Sequence, residues 1–177
     1  MEIVLDIAKI ILPALMVFLT AFFVIKNYLE NEQKKKEFEM RFEQKRITLP
    51  IRLQAYERLL LFLERINPDS IVLRINKPGM SANDMQSQLL QTIRMEFEHN
   101  LSQQLYISNQ AWEMVKNAKE NTIRIINTAA ASIDPNSSAI DLNTAIFAEA
   151  LKEKEPFLQK ALTFLKNEGR SYFDNQN

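Results

Sequence analysis

Between Lys9 and Lys26 the chain carries sixteen residues without a charge, IILPALMVFLTAFFVI, and a helix of that composition is apolar on every face. Few environments tolerate such a surface. A bilayer core about 30 Å thick takes about 20 residues of apolar helix. Ile3, Val4, Leu5, Ile7 and Ala8 lengthen the run, with Asp6 and Lys9 in its first turns, where a lysine can snorkel. Residues 1–26 are therefore read as a retained transmembrane anchor, within which Pro13 is tolerable. A cleaved leader fits less well, because Glu2 and Asp6 stand where basic residues are needed and no small-x-small site follows Ile25. Lys26, Lys34, Lys35, Lys36, Arg41, Lys45 and Arg46 follow the span and only Lys9 precedes it. The positive-inside rule then puts the N-terminus outside and the C-terminal domain in the cytoplasm.

Residues 27–47 alternate in charge, and Glu32–Lys36 and Glu37–Arg41 are i,i+4 pairs in the favourable order. This pattern predicts a charged helical stalk. Phe38 and Phe42 share one face of it, one turn apart, as candidate interaction residues. Lys34, Lys35 and Lys36 are candidate contacts to anionic headgroups, weakened by the interleaved glutamates.

Residues 48–170 are long enough for one core. Leu49, Leu53, Tyr56, Leu60 and Leu63 fall at a/d spacing, and Leu59, Phe62 and Ile66 widen that stripe. The spacing predicts a central core helix over 49–66, Leu60 included, with Pro50 in its first turn. An interaction seam through the same five residues is the sharper alternative. Asn67–Pro68 ends this helix, and 68–75 reads as a short helix in preference to an extended run. Lys77–Pro78–Gly79 is a turn. Ser81 and Asp84 resemble a capping box opening a helix over 82–106, with Met85, Leu89, Ile93, Phe97 and Leu101 inward. A further helix over 110–133 turns Trp112, Val115, Ile123, Ile126 and Ala130 inward. The loop 134–138 follows, then a helical region to about 167 that Pro156 kinks or restarts, with Gly169 as its C-terminal cap and 171–177 as a frayed tail. The predicted fold class is thus all-α: an N-terminal transmembrane helix, a helical stalk and a multi-helix bundle.

The scarce residues exclude most chemistry. No cysteine means no disulfide, thiol nucleophile or cysteine-ligated metal, and two glycines cannot build a phosphate-cradling loop. Glu96 and His99 have the Glu-x-x-His spacing of di-iron bundles, but that site needs two such motifs and the chain has one histidine. No metal, cofactor or catalytic residue is expected. The balance of 22 basic and 22 acidic residues points away from nucleic acid. Trp112, the single tryptophan, reads as a core or interface anchor.

The segments LPIRLQAYERLLLFLERINP and EFEHNLSQQLYISNQAWEMVKNAKE, about a quarter of the chain, resemble a family of bacterial single-span membrane proteins of unassigned function. The resemblance implies the same three-part architecture at a bacterial inner membrane and implies no activity. The expected function is a non-enzymatic, membrane-tethered scaffold, adaptor or accessory subunit acting through protein–protein contacts. Its expected partners are the lipid bilayer, an unidentified protein and, weakly, a second copy of the chain. The alternative is a small-molecule or lipid sensor with a pocket between helices.

Overall fold

Helix α1 takes in Glu2–Ile66 and is followed by α2 (Pro68–Ile75), α3 (Ala82–His99), a 3-10 turn (Leu101–Leu105), α4 (Asn109–Ala131), α5 (Ala139–Ala150) and α6 (Phe157–Asp174). The computed structural model describes residues 1–153 and 156–174, and the side chains of 2–10, 12–14, 45 and 174 lie outside that description. Among the described residues the protein is all-α, without a strand; Ser81 and Ser138 form one isolated antiparallel bridge. Two compact units emerge, residues 1–48 and residues 49–177.

In the first unit, α1 leaves Leu15, Met16, Val17, Phe18, Leu19, Phe22, Phe23, Val24 and Ile25 between 44% and 68% exposed. Among the described residues, no helix is long and apolar enough to cross a membrane. This overturns the expected single-pass location at an inner membrane, with its N-terminus outside and its C-terminal domain in the cytoplasm. The opening part of the expected span, with Asp6, Lys9 and Pro13, lies outside the described side chains.

In the second unit one core gathers residues from every helix of the domain. From α1 it takes Tyr56, Leu59, Phe62, Leu63 and Ile66, each 2% exposed or less. Leu60, expected at the centre, is only half-buried, as are Leu49 and Leu53. The buried stripe is therefore rotated by part of a turn from the a/d line drawn on the sequence. Pro50 does not open a helix but sits within α1. Its missing N–H deprives only the Arg46 carbonyl, on an exposed residue that water can serve.

Helix α2 forms over 68–75 as expected, with the Asn67 side chain accepting from the Asp69 N–H. Helix α3 is shorter than expected: the chain tightens into the 3-10 turn after Asn100, whose side-chain amide donates to the Glu96 carbonyl at 2.8 Å. Leu101, expected inward, is 40% exposed in consequence. Helix α4 packs against α3, α5 and α6, presenting Ala111, Val115, Ala118, Thr122, Ile126 and Ala129, all buried. Trp112, Ile123 and Ala130 lie half-buried at the margins of that stripe. Of the two alternatives at Pro156 the restart is found: α5 ends at Ala150 and Pro156 immediately precedes α6.

Gly169 is not a cap: it lies inside α6, which continues to Asp174, and faces the ring of Tyr56. A methyl added there would meet Tyr56 Cγ at 3.8 Å, an ordinary contact. Gly169→Ala should therefore stabilise the protein by about 0.5–1 kcal/mol, since alanine is the better helix former. Gly79 sits in the turn at φ 79°, where side chains are strained. Gly79→Ala should cost about 1–2 kcal/mol. Denaturant midpoints that shift in the same direction for both variants would refute this pair of expectations.

Candidate functional site

The apolar positions on the charged part of α1 are built by spacing alone. Between Glu30 and Arg46 the only apolar residues are Phe38, Met40 and Phe42. Four residues apart, the Phe38 and Phe42 rings stack, with centroids at 6.5 Å and planes 19° apart, and remain 71% and 60% exposed. Around them Lys36 pairs with Glu32 at 3.2 Å, Lys35 reaches Glu39 at 4.0 Å and Arg46 reaches Glu43 at 3.8 Å. Among the described residues the expected Glu37–Arg41 pair does not form. Of the three lysines read as headgroup contacts, Lys35 and Lys36 thus face their own helix, and Lys34 alone is without an acidic partner.

The remaining sequence candidates fall in the second unit, mostly inside it. Tyr56 and Leu63 are buried, so neither is available as a seam. Trp112 stacks on Phe97 at 5.3 Å, Phe97 tilts against Phe62 at 5.8 Å, and Lys119 caps Phe97 with its ammonium 4.2 Å from the ring centroid. That ladder ties α1, α3 and α4 together. Leu49, Leu53 and Leu60 keep partial exposure.

Glu96 and His99 part company. Glu96 is held by Arg65 at 3.2 Å and by Arg74 at 3.9 Å, so its carboxylate is committed to two guanidinium groups. His99 is exposed at the end of α3. Among the described residues no three side chains of the metal-ligating kind converge.

A polar cluster that sequence reasoning missed joins α1, α4 and α6. The Ser108 hydroxyl accepts from the Ala111 N–H at 3.0 Å, capping α4, and donates to Glu168 at 2.9 Å. Arg52 donates to the Tyr106 carbonyl at 3.0 Å and lies 4.6 Å from the Tyr172 ring centroid. Tyr172 leans on Tyr56 at 5.9 Å. The Tyr56 hydroxyl is buried without a hydrogen-bond partner, although Tyr172 and Glu168 lie beside it. Burial, then Tyr172 and Glu168, push its pKa far above the ordinary phenol value, so the ring stays neutral. Sealed from solvent, it cannot act on a substrate. These residues are spread over 120 positions of sequence, and no local motif signals them.

A groove of about 570 Å³ lies between residues 76–81 and 136–140. Backbone bonds from Ala82 to Ser137 and from Ala139 to Met80 hold its two sides together. Ser81 caps α3 there, and Ser138, the last residue of the 134–138 loop, caps α5 in a full capping box with Asp141. Its walls are the loop residues 76–81 and 136–138 and the first two residues of α5, of which Ala139 also belongs to the core.

Among the described residues the molecule is therefore an all-α protein. It belongs to a family of unknown function, DUF7935, whose model matches residues 2–172. No curated protein and no solved structure matches it.

Proposed function

We propose that this protein is a non-enzymatic helical adaptor or accessory subunit that works through protein–protein contact, with the first unit of α1 as the contacting element. One observation carries the reading. From Leu15 to Leu29, α1 leaves large apolar side chains 44–68% exposed, and Phe38, Met40 and Phe42 form a separate apolar patch 60–71% exposed; exposed apolar patches of this kind mark interaction surfaces. The buried and paired state of the polar groups in the second unit supports the non-enzymatic part: Glu96 is clamped, Tyr56 is sealed, and Glu168 caps α4 through Ser108. The rival reading of a small-molecule sensor needs a pocket enclosed between helices, whereas the groove at 76–81 and 136–140 lies where the 76–81 loop meets the start of α5.

A photoreactive residue placed at Phe23 or Phe42 of the full chain in living cells tests this. Discrete protein adducts are expected at both positions. Adducts to lipid alone, or none at all with the chain present at normal levels, would overturn the reading.

A further inference from the structure

We infer that α1 carries a built-in flexure, the turn from Arg46 to Pro50, where the helix opens or bends while the turns on both sides of it hold. Between Lys26 and Arg65 the chain has no glycine, and its only β-branched or proline residues are Ile47, Thr48, Pro50 and Ile51. Side chains branched at Cβ lose rotamer freedom in a helix and proline is the poorest helix former, so ITLPI is the weakest helical segment of that stretch. Pro50 leaves the Arg46 carbonyl without its intrahelical donor and crowds it with the pyrrolidine ring. It also disfavours the helical conformation that Leu49 nevertheless adopts. The Thr48 hydroxyl donates to the Gln44 carbonyl at 2.8 Å, a back-bond of the kind that bends helices. Packing does not compensate. Arg46, Ile47, Thr48, Pro50 and Ile51 are exposed, Leu49 is half-buried, and the first buried side chain of α1 beyond them is Ala55. Before the flexure the helix is supported by the Lys36–Glu32 and Lys35–Glu39 pairs, and after it by the core, which takes side chains of α1 from Ala55 to Ile66. Arg46 pairs backwards, with Glu43 at 3.8 Å, and 47–51 carry no charge, so among the described residues no ion pair of the helix reaches forward across the flexure. Opening is thereby confined to one turn. This inference does not depend on what contacts α1.

Amide hydrogen exchange of the purified full-length chain reads the flexure directly. Protection factors at Ile47, Thr48, Leu49 and Ile51 should fall about tenfold or more below those of 30–42 and of 55–66. Pro50→Ala restores the donor to the Arg46 carbonyl and removes the ring, so it should raise protection at those four residues about tenfold. Limited digestion with trypsin gives a second readout. The first cut in α1 should fall after Lys45 or Arg46, and Pro50→Ala should slow it by a comparable factor although the cleaved bonds are unchanged. Uniform protection from 30 to 51, or a weakest point at 34–41, would overturn the inference. So would a first cut after Lys34, Lys35, Lys36 or Arg41, or equal protection and cleavage in the parent and Pro50→Ala.

Discussion

Replacing Phe62 by alanine is expected to lower the unfolding free energy by about 3–5 kcal/mol. The ring is 1% exposed and lies at the foot of the Phe62–Phe97–Trp112 ladder. Its removal leaves a void where α1, α3 and α4 meet, and Phe97 cannot follow because Trp112 and Lys119 also hold it. Leu60→Ala, two positions earlier, should cost only about 1–2 kcal/mol, since Leu60 is half-buried and water can fill part of the space. Chemical denaturation followed by circular dichroism ranks the two. A greater loss at Leu60 than at Phe62 would place the wrong face of α1 in the core.

A second large effect should come from adding atoms. Ala118 is fully buried on α4, the helix that packs against α3, α5 and α6. Its carbonyl accepts the Thr122 hydroxyl at 3.0 Å, so the backbone there cannot shift freely. Ala118→Leu is expected to destabilise by about 1–3 kcal/mol through overpacking. Ala131→Leu, at the exposed end of the same helix, should stay within about 0.5 kcal/mol of the parent. Equal stability for the two variants would show that α4 has room on its inner face.

Those two residues also show where legibility ended. Leu59, Leu63, Met85, Leu89, Ile93, Val115 and Ile126 were legible as inward because large apolar side chains at helical spacing have few other places to go. Ala111, Ala118, Thr122 and Ala129 were not, because small side chains carry too little hydropathy to mark a face, although helices need them in order to approach closely. Leu60 was placed too deep because a stripe with apolar neighbours on both sides fixes its own centre only to within part of a turn. The long apolar run before Lys26 invited a membrane span, and that expectation did not survive the structure.

By itself the sequence determined the all-α class, the helix start at Ser81, the short helix over 68–75 and the placing of Phe38 and Phe42 on one face of α1. Each of these follows from local rules: periodicity, capping side chains and the rigidity of proline. Only the tertiary structure decided which face of α1 is buried, that Glu96 answers to Arg65 and Arg74, and that Ser108 and Glu168 join α4 to α6. Those pairings bring together side chains distant in sequence, and their energy depends on distances that no local pattern encodes.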